Sequence, residues 1–109
     1  MPPNRSLAEL ASVLGEDNVR TLVRTFLRDW PVALRELGGG TRPVRHRLVH
    51  SLKSNARLMG AVGLSQRLAE LEDRMADGGG DLAPVDLAGL DADFEAAARE
   101  LQAFAASGA

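Results

Sequence analysis

The sequence contains no cysteine and no tyrosine, and three phenylalanines and one tryptophan are the only aromatic residues among its 109. Without cysteine there is no disulfide, no thiol nucleophile and no thiolate-ligated metal, and nothing calls for an oxidising compartment. β-branched residues are few as well, so no segment carries a strand signal. Nowhere do ~18 apolar residues run uninterrupted. The start, Met1-Pro2-Pro3-Asn4-Arg5, leads directly into an amphipathic segment. Neither a membrane span nor a signal peptide is therefore expected, and the expected location is the cytoplasm. Acid is also missing from one stretch: between Glu36 and Glu70 there is no Asp or Glu, whereas Arg42, Arg45, Arg47, Lys53, Arg57 and Arg67 all fall there. The formal net charge of −2 thus hides a basic island suited to an acidic protein surface or a phosphate. The island holds no aromatic side chain to stack on bases, which argues against nucleic acid.

What the chain does have is helical periodicity, enough for one domain over residues 1–109. Leu7, Leu10, Val13 and Leu14 form a short apolar stripe behind Ser6 as an expected N-cap, with Gly15 as the stop. From Glu16 to Leu37 the positions Val19, Leu22, Val23, Phe26, Leu27, Trp30, Leu34 and Leu37 recur at steps of three and four. Pro31 lies inside this long helix and lacks a backbone donor, so a bend or break is expected near Leu27 to Trp30. Thr41 as N-cap and Pro43 in the first turn open a helix that reads through Leu48, Leu52, Ala56 and Met59 to Gly60. After a turn containing Gly60 and Gly63 comes a helix with Leu64, Leu68, Leu71 and Met75 on one face. The last runs from Asp86 or Leu87 to about Ala106, with Leu87, Leu90, Phe94, Ala97, Leu101 and Phe104 inward. Two runs, Gly38-Gly39-Gly40 and Gly78-Gly79-Gly80, read as loops at helix ends. Neither precedes a Lys-Ser or Lys-Thr, and no strand precedes either, so they are not phosphate-cradling loops. Four long helices with short connections pack best as an all-α antiparallel four-helix bundle, its end capped by the short additional N-terminal helix. The bundle is expected to be a monomer.

On an ideal helix, His46, Arg47, Lys53, Ser54 and Arg57 all fall within ~60° of the direction in which His50 points. Leu48, Leu52 and Met59 fall within ~20° of the opposite direction, where a bundle helix buries itself. His50 should therefore be exposed on a polar, cationic face, whereas Asn55 and Arg45 project closer to the buried side than their polarity suggests. Imidazole titrates near neutrality, and an exposed one offers a ring nitrogen as a nucleophile that can accept a phosphoryl group. Lys53, one turn on, can bring its ammonium to a phosphoryl oxygen, and a small residue at position 54 lets another protein approach closely.

The run His50-Ser51-Leu52-Lys53-Ser54-Asn55-Ala56, then Gly60-Ala61, Leu64 and Leu71-Glu72, resembles the signature of histidine-containing phosphotransfer (HPt) domains. Phe26-Leu27 resembles the phenylalanine region of that family's preceding helix, so the likeness spans about residues 26 to 75. Ser54 stands where that family more often has glycine, and Asn55 where it has serine. The resemblance implies a phosphoryl shuttle in a two-component phosphorelay: His50 takes the group from a receiver-domain aspartate and passes it to another, with Lys53 stabilising its charge. His46, Arg47, Ser54, Arg57, Gly60 and Arg67 would then form the docking face. No intrinsic cofactor is implied, because Mg2+ comes with the partner receiver domain. The partners implied are response regulators, a hybrid histidine kinase, or both.

Other readings of the same residues fit less well. His46 and His50 have the spacing of a helical zinc pair, but Arg47 replaces the acid, there is no third histidine and cations crowd the site. A kinase dimerisation helix carries an acid after its histidine, where Ser51 stands here, and the chain has no room for an ATP-binding domain. It is therefore not read as an autonomous kinase. The remaining alternative is a non-catalytic interaction module whose basic face binds receiver domains or another acidic surface.

Overall fold

The computed structural model describes residues 4–76 and 80–107, and every regular element among them is helical. The helices are α1 (Arg5–Leu14), α2 (Glu16–Leu37), α3 (Arg42–Leu58), α4 (Val62–Ala76) and α5 (Pro84–Ala106). Of the second triple-glycine run, Gly78 and Gly79 lie outside the described residues. α2 and α4 each lie against both α3 and α5, so four helices bury their apolar stripes on one another, and α1 rests on α2 and α3. The result is a helical bundle measuring 44 × 23 × 21 Å. Its core runs from Trp30 and Leu37 through Val49, Leu52 and Ala56 to Leu64, Leu68, Leu71, Leu90 and Phe94. Trp30 stacks on Phe94 with ring centroids 4.9 Å apart, and Phe26 leans on both.

Several expectations about local structure are corrected. Helix α1 is capped by Asn4, not Ser6: the Asn4 carboxamide oxygen accepts from the Leu7 N–H at 3.2 Å. The same side chain donates to the Met59 carbonyl at 2.7 Å, closing the C-terminus of α3. One residue thus satisfies an orphan group at each of two helix ends, which a serine two positions later does not do. Of the bend or break expected at Pro31, the break does not occur, because a single missing N–H leaves the rest of the ladder of a 22-residue helix intact. Leu22 on that helix is exposed rather than inward. Gly63 lies in the first turn of α4, not in the connection. Helix α5 begins at Pro84, which supplies a pre-set first turn, and the Asp86 carboxylate reaches back to accept from the Ala83 N–H at 2.8 Å. Thr41 does cap α3, accepting from Val44 N–H.

Gly60 ends the α3 turn with φ +71°, a conformation L side chains avoid, and an added Cβ would collide with the Asn4 carboxamide. Gly60→Ala is therefore expected to lose about 1–2 kcal/mol from the backbone alone. In a chain of this size that lowers Tm by roughly 4–16 °C. A thermal melt showing an unchanged Tm would mean that position 60 is not held at positive φ.

Candidate functional site

The stripe that α3 buries is Val49, Leu52, Ala56 and Met59, centred roughly 40° further toward α4 than the sequence periodicity implies. That rotation accounts for one of the two polar residues that looked misplaced. Asn55 turns out to solvent, and Leu48 is only half-buried. Arg45 does point inward, at the first turn of the helix, where its guanidinium donates to Gly39 O at 3.1 Å and Gly40 O at 2.6 Å and pairs with Asp81. That pairing raises the Arg45 pKa and holds the Asp81 carboxyl below its ordinary range, with the Leu82 N–H assisting. Arg42 donates to the carbonyls of Met75 and Gly80. Two of the six cations in the basic island therefore close the connection between α4 and α5 instead of facing a partner.

His50 stands on the open face of α3, its side chain 61 % exposed. Its Nδ1 meets Oε2 of Glu72, which α4 brings up beside it from 22 residues away in sequence. The other carboxylate oxygen, Oε1, accepts from Lys53 Nζ at 2.5 Å. One carboxylate thus bridges the histidine and the lysine of a single helical turn. The Lys53 ammonium, followed by His50, holds the Glu72 carboxyl below its usual range against the opposing cost of burial. An ionised carboxylate only accepts hydrogen bonds, so the shared proton belongs to Nδ1 of His50. In a neutral ring that leaves the lone pair on Nε2, which makes no hydrogen bond among the described residues. Ser54, one turn on, is exposed, and its hydroxyl reaches back to the His50 carbonyl at 3.4 Å. Around this point Arg47 and Arg57 are exposed, and among the described residues neither has a carboxylate partner.

The depressed Glu72 pKa predicts a pH dependence of stability. A carboxyl that titrates lower when folded stabilises the fold fully above its unfolded value of ~4.3, and the contribution is lost as pH falls through the folded value. The Tm gap between the protein and Glu72→Gln is expected to be full above the unfolded carboxylate range and to narrow as pH falls below it. A gap that widens on acidification through that range would contradict an ionised Glu72 bridge.

Three residues expected on the docking face sit elsewhere. Arg67 lies about 140° around α4 from Glu72 and pairs with Asp93 of α5 at 2.5 Å, its guanidinium over Gly89. His46 is half-buried, with Nε2 buried and without a hydrogen-bond partner among the described residues, because the side of α3 that carries it is covered by α4. Gly60 is half-buried under the Asn4 side chain. Glu72, by contrast, is a site residue that the sequence alone does not single out. The only available trace is its place in the Leu71-Glu72 pair.

No curated protein and no solved structure matches the chain. A family model does: the Hpt domain matches residues 21–103, from the first turns of α2 nearly to the end of α5 and across the whole His50 face. The chain therefore belongs to the Hpt domain family, whose members carry phosphoryl groups on a histidine in phosphorelays.

Proposed function

We propose that His50 is the phosphoryl acceptor and donor of this chain, receiving the group from a phospho-aspartate of one receiver domain and delivering it to the aspartate of another. The observation that carries this reading is the Glu72 bridge, which fixes the His50 proton on Nδ1 and turns a bare Nε2 to solvent. In uptake, the Nε2 lone pair forms an N–P bond as the acyl phosphate O–P bond breaks, and the partner's carboxylate departs with that electron pair. The ring, still carrying Nδ1–H, becomes cationic and lies against the Glu72 carboxylate, so no proton has to leave. Delivery reverses these steps and releases a neutral imidazole, a far better leaving group than its anion. Phosphoryl transfer through a loose transition state needs alignment and charge stabilisation more than covalent machinery. Lys53, already held one turn from His50, supplies a cation that can move from Glu72 to a phosphoryl oxygen. Mg2+ held by the receiver domain supplies further charge neutralisation.

In this proposal residues 1–109 act as one domain in the cytoplasm, with Arg47, Ser54 and Arg57 under the docked partner. The test is incubation of the purified chain with a phosphorylated receiver domain carrying labelled phosphate. Label that is lost in acid and stable in alkali is the expected result, since phosphohistidine has that lability and an acyl phosphate does not survive alkali. No label from a broad panel of receiver domains would favour a module that binds them without turnover.

A further inference from the structure

We infer that the cleft where the starts of α1 and α4 meet the end of α3 binds a phosphate dianion, as the free ion or as the end group of a small monoester. The cleft has a volume of about 240 Å³ and is lined by Ser6 of α1, Arg57 of α3, Gly60 of the turn, and Val62, Ser65 and Gln66 of α4. Ser65 and Arg20 are the polar side chains sunk into the interior, Ser65 only 8 % exposed. Arg20 is paired with Glu16 and Asp17. The Ser65 hydroxyl makes no hydrogen bond among the described residues, not even to the carbonyl one turn back that a helical serine commonly takes. A buried hydroxyl without a partner is costly. It is not sealed in apolar packing, as Trp30 Nε1 and His46 Nε2 are, but lines the cleft.

The chemistry of the lining identifies the occupant. Arg57, Ser6 and Gln66 also make no side-chain hydrogen bond or ion pair among the described residues, and no carboxylate lines the cleft. Water satisfies any one of these groups, but a guanidinium, a carboxamide and two hydroxyls gathered without an acid suit a group that accepts on every side and carries negative charge. Glu9 on one side, and Asp93 and Glu100 on the other, line neighbouring depressions instead. The backbone adds to the field: the first turns of α1 and α4 contain no acid, and the residue before α4 is Ala61, whose methyl cannot cap it. Size sets the limit. Sites for drug-sized ligands run to roughly 300–1,000 Å³ and a water takes about 30 Å³, so this cleft suits a tetrahedral oxyanion with a few waters or a short ester tail, not a nucleotide.

The cleft is pre-organised, since Asn4 caps α1 and donates to the Met59 carbonyl, which fixes Ser6 against the end of α3. It is also separate from the Glu72 bridge, because Arg57 lies seven residues beyond His50, about 10 Å along the helix axis. Arg57 nevertheless belongs both to the cleft and to the face that presents His50. A dianion bound in the cleft engages the guanidinium that otherwise turns to a partner, so occupancy slows transfer from a receiver domain. That coupling rests on the phosphotransfer reading above, whereas the binding site itself does not.

The experiment follows the backbone amides of the full chain by NMR while inorganic phosphate replaces chloride at constant ionic strength. The expected result is saturable shifts at Ser6, Ser65 and Gln66. Ser65→Ala and, separately, Arg57→Gln should raise the half-saturating concentration at least about tenfold, while Arg99→Gln, which removes an exposed charge on α5, binds as the parent does. Shifts that do not saturate, or that saturate at the same concentration in Ser65→Ala, would overturn the inference. Glycerol phosphate titrated in parallel separates the two sources: tighter binding than inorganic phosphate assigns the site to an ester, and equal binding to the free ion. Receiver-dependent transfer that phosphate slows in the parent but not in Ser65→Ala would establish the coupling, and saturable binding without slowing would refute it. Saturable binding in a chain that takes no label from any receiver domain would overturn the phosphotransfer reading and leave the site standing.

Discussion

Replacing His50 by glutamine is expected to abolish phosphoryl uptake from any receiver domain, a loss of at least about a thousandfold in labelling rate, while leaving the fold intact. The amide of glutamine fills a similar volume and can still donate to Glu72, but its nitrogen lone pair is delocalised and forms no N–P bond. Stability should change little, because the side chain is mostly exposed and none of the apolar core rests on it. The two measurements belong together: circular dichroism and Tm close to those of the parent, with no acid-labile label. Receiver binding in the same variant separates carrier from adaptor, since a carrier loses transfer but keeps affinity. Residual acid-labile label in His50→Gln would point to the other histidine, His46. Its buried and unpartnered Nε2 makes that outcome physically unfavourable.

How far such a site can be read without coordinates depends on whether a residue's role is set by its own helix or by a neighbouring one. The exposure of His50 and its closeness to Lys53 and Ser54 follow from one helical repeat, so periodicity alone places them on one face. Boundaries governed by local chemistry are equally legible: Thr41 with Pro43 opens α3, and Glu16 to Leu37 forms one helix. What the repeat cannot supply is the register between helices. Glu72 reaches His50 only because α4 lies against α3 at one particular offset, and Arg67, five residues earlier on that helix, is carried round to Asp93 by the same packing. Asn4 is the extreme case, a residue before the first helix whose second hydrogen bond lies 55 residues away. The basic island misleads for a related reason. A run of like charge in sequence need not be a patch in space, and Arg42 and Arg45 are folded back onto carbonyls of two connections.

Removing the Glu72 carboxylate should therefore have the next largest effect on transfer, through the proton it fixes on His50. In Glu72→Ala the ring is free to rotate and to place its proton on either nitrogen, so part of the population presents Nε2–H and cannot attack. Lys53, no longer held one turn from the reacting nitrogen, returns to the rotameric freedom of a surface lysine. Loss of the groups that orient a metal-ligating imidazole costs about 10–100-fold, and an effect of that order on the maximal transfer rate is expected, with little change in receiver affinity. Glu72→Gln keeps only one acceptor oxygen, which the donor-only Lys53 ammonium claims, so its NH2 faces His50 Nδ1, favours the Nε2–H tautomer and should slow transfer at least as much as Glu72→Ala. Lys53→Ala should slow transfer while leaving the tautomer alone. Because one carboxylate serves both side chains, the Glu72→Ala and Lys53→Ala losses should combine less than additively in the double variant. Nitrogen NMR of the His50 ring reads the tautomer directly: Nδ1–H in the parent, Nε2–H in Glu72→Gln, and a mixture in Glu72→Ala. A parent ring already mixed, or a Glu72→Ala protein that transfers at the parent rate, would show that the carboxylate only pins Lys53 and takes no part in presenting the nucleophile.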